Sequence, residues 1–217
     1  MRFHVVTLFP DSLKSYLASS IVKRAIEDGL VDVRTYNPKD YAEKKNGKLA
    51  RIDKRPYGGG PGMVLQVVPV ARAIEAALKK SKNPKKTVIL NMSPRGEQLN
   101  GAYAQKLSKK YEDVILVCGR YEGIDERIKK IFKIKDLAVG EAVVTGGELP
   151  ALFVIDAVTR RLDGAIGDSS SIEETRTASA AVYTRPDVVE WKGKKYKVPK
   201  LLLGGHHKEI EKWRGEN

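Results

Sequence analysis

The chain has 217 residues, 41% of them apolar and 31% charged, a composition that excludes collagen-like, low-complexity and wholly disordered proteins. Lys and Arg number 40 against 27 Asp and Glu, which gives a formal net charge of +13. Such an excess fits a polyanionic partner, and it fits a basic but otherwise ordinary enzyme equally well. The single cysteine, Cys118, excludes an intrachain disulfide and a cysteine metal cage.

The sequence carries no sign of a membrane or secretory segment. No apolar run approaches the roughly 20 residues that a membrane span needs. The N-terminus lacks the apolar core and small-residue cleavage site of a signal peptide. We therefore expect a soluble, cytoplasmic protein without membrane contacts.

Short β-rich runs alternate with helical patterns along most of the chain. The patterns predict strands at residues 3–8, 31–36, 87–91 and 113–118. They predict helices from Pro10 to Gly29, from Pro69 to about residue 80, and at residues 101–110, 125–131 and 149–162. An apolar run without an assigned type separates the last two helices. This alternation predicts an α/β fold with a mostly parallel sheet covered by helices on both faces.

Two stretches interrupt this alternation. Residues 38–62 show no periodicity and are crowded with Lys and Arg, which is typical of a functional or disordered loop. Residues 164–180 are small and polar, which indicates an interdomain linker. We therefore predict an α/β domain over residues 1–163, a linker over 164–180 and a small basic domain over 181–217.

Three glycine-bearing loops follow predicted strands. They read Asn-Met-Ser-Pro-Arg-Gly at residues 91–96, Cys-Gly-Arg-Tyr-Glu-Gly-Ile-Asp-Glu-Arg at 118–127 and Ala-Val-Gly-Glu-Ala-Val-Val-Thr-Gly-Gly-Glu-Leu-Pro at 138–150. Because ligand sites of parallel α/β sheets form at the carboxyl ends of strands, we expect one composite cleft around a flat ligand. Glu122 is a candidate for chemistry because Asp125 already supplies a helix-capping carboxylate, although Glu122 itself fits a capping role as well.

A fourth glycine-rich loop, Arg-Pro-Tyr-Gly-Gly-Gly-Pro-Gly-Met, occupies residues 55–63. It fits a ligand site or a tight crossing of two chain segments, and it lacks the Gly-Lys-Ser/Thr of a Walker loop. The sequence has no Ser-His-Asp set for nucleophilic catalysis and no Gly-x-Gly-x-x-Gly motif for dinucleotide binding. It also has no His-x-x-x-His pair, and no metal site is predicted. Cys118 and His4 are more typical of buried core residues than of catalytic ones.

Two later motifs complete a series, Tyr-Thr-Arg-Pro at residues 183–186 and Leu-Gly-Gly-His-His at 203–207. In this order the motifs resemble those of the bacterial tRNA (guanine-N1)-methyltransferases, the TrmD family of the SPOUT class, over nearly the whole chain. The resemblance implies transfer of the methyl group of S-adenosylmethionine to N1 of the guanosine directly 3′ of the anticodon in tRNA. It also implies a deep trefoil knot, a small helical C-terminal domain and a homodimer with the active site at the subunit interface.

The resemblance assigns site residues by position. Arg160 matches the arginine that contacts the substrate guanine, and Glu122 suits the sulfonium cation of the cofactor or a magnesium ion beside it. The implied cofactor-binding residues are Ser93, Pro94, Gly119, Tyr121, Glu122, Gly123, Val139, Gly140, Glu141, Ala142, Val143, Val144, Gly146, Gly147 and Pro150.

The reaction also needs a general base, because N1 of guanine carries a proton. The family uses an aspartate of the interdomain linker, and an alignment without gaps places Thr175 there, which cannot act as a base at neutral pH. Shifting the alignment by one residue places Glu174, which carries a carboxylate, at the position of the family aspartate. Glu174 is therefore the predicted base and Glu173 the second choice; the alternative is that both are solvated linker residues.

The remaining expectations concern RNA. The implied contacts with tRNA are Arg55, Tyr183, Arg185, His207, Lys208 and Arg214. Trp191, Tyr196 and Trp213 either stack on bases or fill a small core. The sequence stops soon after Trp213, so we expect a minimal C-terminal domain. Two alternatives stay open: an RNA-binding SPOUT protein without catalysis, and a SPOUT methyltransferase for ribosomal RNA.

Overall fold

The computed structural model describes residues 1–45, 48–166 and 181–216. The chain divides into two compact units, Met1–Gly167 and Asp168–Asn217. Within the described residues, the strands of the first unit are β1 (Arg2–Val6), β2 (Asp32–Tyr36), β3 (Lys44–Lys45), β4 (Lys48–Leu49), β5 (Asp53–Lys54), β6 (Val64–Leu65), β7 (Thr87–Gln98), β8 (Asp113–Cys118) and β9 (Ile134–Ala138). Its helices are α1 (Asp11–Leu17), α2 (Ser20–Glu27), α3 (Val67–Lys80), α4 (Gly101–Lys110), α5 (Ile128–Ile131) and α6 (Glu148–Thr159).

Five of the strands form one sheet in the order β2-β1-β8-β7-β9, and every neighbouring pair is parallel. All residues of β8, the central strand, are buried. Strands buried on both faces read as continuous apolar runs, which is why residues 113–118 were recognisable in the sequence. The predicted α/β fold with a parallel sheet is confirmed.

Helices cover both faces of the sheet. On one face Leu116 belongs to a core cluster with Leu13 of α1 and Val154 of α6. On the opposite face Ile115 belongs to a second cluster with Ile74 of α3. Adjacent residues of β8 thus serve opposite cores, as the two-residue period of a strand requires.

Two predicted helices differ from the structure. The helix expected from Pro10 to Gly29 is interrupted between α1 and α2, where the Ser19 hydroxyl donates to the Ser15 carbonyl (2.7 Å) and competes with the helical hydrogen bonds. The helix expected at 125–131 is only α5, because the Asp125 carboxylate accepts from the Arg127 N–H (3.0 Å) in a turn. The apolar run that followed forms β9.

The aperiodic stretch at residues 38–62 contains local structure. It holds a 3₁₀ turn at Pro38–Tyr41, the β3–β4 hairpin and β5, which pairs with β6. No helix in the described parts of the chain is long and apolar enough to cross a membrane.

The second unit contains a hairpin and two helices. Its elements are β10 (Val188–Trp191), β11 (Lys194–Lys197), α7 (Lys200–Leu203) and α8 (His207–Glu216). The helices agree with the expectation for this region, whereas the hairpin was not predicted, because its strands are short and rich in lysine. The ring of Trp213 lies 6.2 Å from that of Tyr183, so these two side chains contact each other within this unit.

Candidate active site

Three loops lie side by side at the carboxyl edge of the sheet, because two of them follow β8 and β9 and the third bulges out of β7, the strand between these two, near its carboxyl end. We call them loop 93–96, loop 119–127 and loop 139–147. Loop 93–96 leaves the ladder between Met92 and Glu97, which both lie opposite Leu137 of β9. The chain then returns along β9, where the Leu99 N–H donates to the Ala138 carbonyl (2.7 Å). Loop 93–96 therefore lies beside the start of loop 139–147.

Loops 119–127 and 139–147 are joined directly. Arg120 and Gly146 form an isolated antiparallel bridge, and the Gly147 N–H donates to the Gly119 carbonyl (3.0 Å). A Cβ on residue 147 would lie 2.6 Å from the Cα of Cys118, so glycine is needed for this close approach. The expected convergence of the three glycine-bearing loops is what the structure shows.

An ion pair between the buried Glu148 and the partly exposed Arg120 fixes the two loops to the sheet. Arg120 Nη2 lies 2.9 Å from Glu148 Oε2, and the Thr7 hydroxyl donates to Glu148 Oε1 (2.7 Å). The Arg120 guanidinium also lies 4.5 Å from the centroid of the Phe9 ring and donates to the Thr145 carbonyl (3.3 Å). A buried ion pair is tolerated only with such additional partners. We call this group the Arg120–Glu148 clamp. Sequence reasoning missed it, although Arg120 and Glu148 lie inside the glycine motifs.

Cys118 has no catalytic role in this arrangement. Its side chain is 2% exposed. Burial raises the pKa of the Cys118 thiol well above its usual value, and the nearby Glu148 carboxylate acts in the same direction. Because the thiolate is the nucleophile, the sequence interpretation of Cys118 as a core residue is the better one.

The fourth glycine loop packs against loop 119–127. The Glu122 N–H donates to the Met63 carbonyl, and the Leu65 N–H donates to the Gly123 carbonyl, both at 3.0 Å. Gly62 has a φ of +83°, and a Cβ there would lie 2.6 Å from Glu122 Oε1. The interpretation as a tight crossing of two chain segments is therefore correct. The crossing also fixes the backbone that carries Glu122.

Glu122 and Asp125 differ in their partners. The Asp125 carboxylate binds the Arg127 guanidinium (2.6 Å), and this hydrogen bond lowers the pKa of Asp125. The Glu122 carboxylate has neither a hydrogen bond nor an ion pair within the described residues. Of the two, Glu122 is thus the carboxylate that is available to a cationic ligand.

The loops leave an open, partly apolar surface. Tyr121 is 59% exposed, Val143 80% and Val144 46%. Added Cβ atoms at Gly123 and Gly140 would meet nothing within 4 Å. Exposed apolar side chains beside open backbone are typical of a ligand site. The remaining implied cofactor residues lie on the same edge: Ser93 and Pro94 in loop 93–96, Val139, Glu141 and Ala142 in loop 139–147, and Pro150 in the first turn of α6.

Arg160 lies away from these loops. It follows the last residue of α6, whereas the loops adjoin the first. A helix of this length, at roughly 1.5 Å per residue, separates its two ends by about 18 Å. Arg160 thus lies at the opposite end of α6 from Gly147, the last residue of loop 139–147. Glu173, Glu174 and Thr175 lie outside the described residues.

The implied RNA contacts fall in both units. In the first, Arg55 lines an open cleft of 590 Å³ together with Arg51, Asp53, Lys54 and Met63. In the second, Tyr183, Arg185 and Lys208 are exposed, and His207 and Arg214 are positions on α8. No group of three or more His, Cys, Asp or Glu that could hold a metal ion occurs in the described ranges.

Comparison with known proteins decides the family. The family model for tRNA (Guanine-1)-methyltransferase TrmD matches residues 1–217. The chain belongs to this family. The tRNA (guanine-N(1)-)-methyltransferase of Citrifermentans bemidjiense is 43% identical, over 99% of this chain and 83% of that protein. The corresponding TrmD-family protein of Clostridioides difficile is 40% identical, over 100% of this chain and 91% of that protein.

A solved structure agrees with this assignment. The crystal structure of the tRNA (m1G37) methyltransferase from Aquifex aeolicus matches with a TM-score of 0.79 at 40% identity, over 100% of this chain and 88% of that chain. The resemblance found in the sequence motifs is therefore confirmed, and with it the SPOUT type of α/β fold. The knot and the roles of individual residues stay predictions.

Proposed function

We propose that the protein transfers the methyl group of S-adenosylmethionine to N1 of the guanosine directly 3′ of the anticodon in tRNA. One observation carries the proposal: in a chain of the TrmD family, three glycine-bearing loops lie together at one sheet edge, and two of them are joined by a backbone hydrogen bond. A ribosomal RNA substrate has no comparable support.

The cleft has the chemistry that this cofactor requires. Tyr121, Val143 and Val144 offer apolar surface to the adenosine, and the open positions at Gly123 and Gly140 leave room for it. The unpaired Glu122 carboxylate suits the positive sulfonium. When bound, S-adenosylmethionine supplies an electrophilic methyl group. The residues present therefore fit the cofactor.

Side chains of the protein remove the proton from the guanine, hold the guanine and contact the phosphates of the RNA. Glu174 accepts the proton from N1 of the guanine, which leaves the nitrogen lone pair free to bond to the methyl carbon. Arg160 contacts the guanine and holds it in place. In the first unit, Arg51, Lys54 and Arg55 present positive charge to phosphates, and Arg185 and Lys208 do so in the second.

The position of Arg160 favours a homodimer with the active site at the subunit interface. Since Arg160 is at the far end of α6 from Gly147, we infer that a second copy of the chain supplies it to the site. α6 also exposes Leu149 (67%) and Phe153 (54%), which lie one turn apart on a helix that is otherwise largely buried. Exposed apolar surface on such a helix is typical of an interface.

A methyl-transfer assay tests the proposal. Labelled S-adenosylmethionine is incubated with tRNA transcripts that carry guanosine or adenosine directly 3′ of the anticodon. Incorporation into the guanosine transcript alone is expected. Cofactor binding without transfer to either transcript would support the RNA-binding protein without catalysis instead.

The general base is tested by Glu174→Gln, with Glu173→Gln as the matched control. We expect Glu174→Gln to lower kcat by about 10²- to 10⁴-fold, the usual value of general base catalysis, with cofactor affinity unchanged. Glu173→Gln should retain activity. The reverse result would assign the base to Glu173, and full activity in both variants would remove the linker carboxylates from the mechanism.

Mixed dimers test the shared site. Arg160→Ala and Gly140→Val are each expected to be inactive alone, because one removes the guanine contact and the other fills the cleft. When the two variants are co-expressed, one of the two sites in each hybrid is intact, so activity should return. Failure of hybrids to recover activity would contradict a site built from two chains.

A further inference from the structure

The β10–β11 hairpin of the second unit has a regular, tightly closed form. Val189 pairs with Tyr196, and Trp191 pairs with Lys194. The two residues between the strands, Lys192 (φ +51°) and Gly193 (φ +75°), both have positive φ, as a type I′ turn requires. The turn sets the register of the two strands, and the register decides which side chains share a face.

One face of the hairpin is aromatic and uncovered. Because cross-strand partners and alternate residues point to the same side, Val189, Trp191, Lys194 and Tyr196 share this face. Trp191 is 65% exposed and Tyr196 56%. Neither ring has an aromatic partner among the described residues, in contrast to Trp213, whose ring lies beside that of Tyr183. Two exposed rings on one short hairpin need a ligand to account for them.

The hairpin is also strongly basic. Residues 188–200 contain five lysines and a single acidic residue, Glu190. The four lysines of the turn and of β11 are exposed, and within the described parts of the chain none of them is ion-paired with a carboxylate. Such unneutralised charge is complementary to a polyanion. An apolar protein partner would need the opposite, a face without uncompensated lysines.

We propose that the aromatic face of the β10–β11 hairpin stacks on unpaired bases of RNA, while its lysines contact the flanking phosphates. The proposal rests on the proposed function, because the RNA in question is the tRNA substrate. Stacking on aromatic rings accepts any base, since every base has a π-face, and it requires bases that are not already stacked in a helix. The hairpin thus binds a loop or another single-stranded segment of the tRNA, not a duplex stem.

Tryptophan fluorescence tests the stacking directly. The chain has only two tryptophans, so Trp213→Phe leaves Trp191 as the single reporter. We expect tRNA and a short single-stranded oligonucleotide to quench its emission, and duplex RNA and inorganic polyphosphate to leave it nearly unchanged. Equal quenching by polyphosphate, or none by tRNA, would overturn the proposal.

Steady-state kinetics give an independent test in the full-length protein. Trp191→Ala and Tyr196→Ala should each raise the KM for tRNA by about tenfold, as expected for loss of one stacked base, with kcat and cofactor affinity unchanged. Trp191→Phe should recover part of the loss because it restores a π-face. Ile131→Ala, which removes an apolar side chain of similar exposure on α5, is the control and should have no effect.

The outcomes separate this proposal from the proposed function. Wild-type protein that fails to methylate the guanosine transcript refutes the function, while quenching of Trp191 by RNA still reports on the hairpin. Normal methylation together with an unchanged KM in both aromatic variants refutes the hairpin proposal alone.

Discussion

Buried charged side chains have different roles at the carboxyl edge and at the amino edge of the five-stranded sheet. At the carboxyl edge the Arg120–Glu148 clamp holds loops that leave an open cleft between them. At the amino edge a hydrogen-bond network around Asp113 ties strands together. Asp113 is fully buried, and its carboxylate accepts two hydrogen bonds from Arg2 (2.7 and 2.6 Å) and one from His4 Nε2 (2.9 Å).

The amino-edge network reaches beyond these three residues. The Tyr36 hydroxyl lies 2.9 Å from His4 Nδ1, and the Ser81 hydroxyl donates to Asp113 Oδ2 (3.2 Å). β1, β8 and the segment after α3 are thus joined at the Asp113 carboxylate, and Tyr36, the last residue of β2, is linked to it through His4. Burial alone would raise the pKa of Asp113, but the hydrogen bonds from Arg2 and His4 outweigh it and lower that pKa.

The comparison shows how a parallel sheet separates stability from function. All five strands begin at one edge and end at the other, so the interactions that stabilise the sheet and the loops that bind ligands do not compete for the same positions. Exposed glycine loops with positive φ, as at Gly62 and Gly123, contribute little to stability. The network at the amino edge compensates for them.

Among the substitutions at the two edges of the sheet, Asp113→Asn is expected to have the largest effect, a loss of stability. The variant leaves the Arg2 charge without its partner, and we expect the free energy of unfolding to fall by about 3–5 kcal/mol. Chemical denaturation measures this loss. The affinity for the cofactor, measured by calorimetry under conditions in which the variant is folded, should equal that of the wild type, because the site is at the other edge. A weakened affinity would contradict the separation.

The same network predicts a pH dependence. Since the pKa of Asp113 is lower in the folded protein, its contribution to stability is complete above the unfolded carboxyl pKa of about 3.9 and is lost as the pH falls below it. The free energy of unfolding, obtained from denaturation curves between pH 3 and 7, should therefore fall more steeply on acidification in the wild type than in Asp113→Asn. Identical curves would remove Asp113 from the acid response.

Glu148→Gln is expected to have a smaller effect, which lowers both the stability of the protein and its affinity for the cofactor. Loss of the charge removes the ion pair with Arg120 and weakens the hydrogen bond from Thr7, which predicts a stability loss of about 1.5–3 kcal/mol. Because the clamp positions loops 119–127 and 139–147, cofactor affinity should fall as well. A loss of stability with unchanged affinity would show that the clamp does not position the loops.

The smallest effect is expected from Gly140→Ala, which adds a methyl group to the open cleft without a conflict in the free protein. We expect cofactor affinity to fall by about tenfold, the order of an overpacked contact, with unchanged stability. Gly205→Ala is the matched control, since its Cβ also meets nothing within 4 Å. Equal affinity in both variants would place the cofactor elsewhere.

Local patterns predicted several elements closely. Residues 101–110 and 113–118 were assigned with the bounds that α4 and β8 have, because Asn100 caps the helix through its hydrogen bond to the Tyr103 N–H (2.8 Å) and β8 is a continuous apolar run. The break between α1 and α2 was missed, because it depends on a serine hydroxyl that competes with backbone hydrogen bonds. The motifs identified the family and three loops, whereas the Arg120–Glu148 clamp has no local signature.

The sequence by itself determined the α/β class, the glycine-bearing loops and the family, because periodicity, turn residues and motif order are properties of neighbouring residues. Only the tertiary structure decided that Glu122 lies over Gly62, that Arg120 packs on Phe9 and that Arg160 lies at the opposite end of α6 from Gly147. Such contacts join residues as far apart as Thr7 and Glu148, 141 positions along the chain. They depend on the strand order β2-β1-β8-β7-β9, which no local pattern contains.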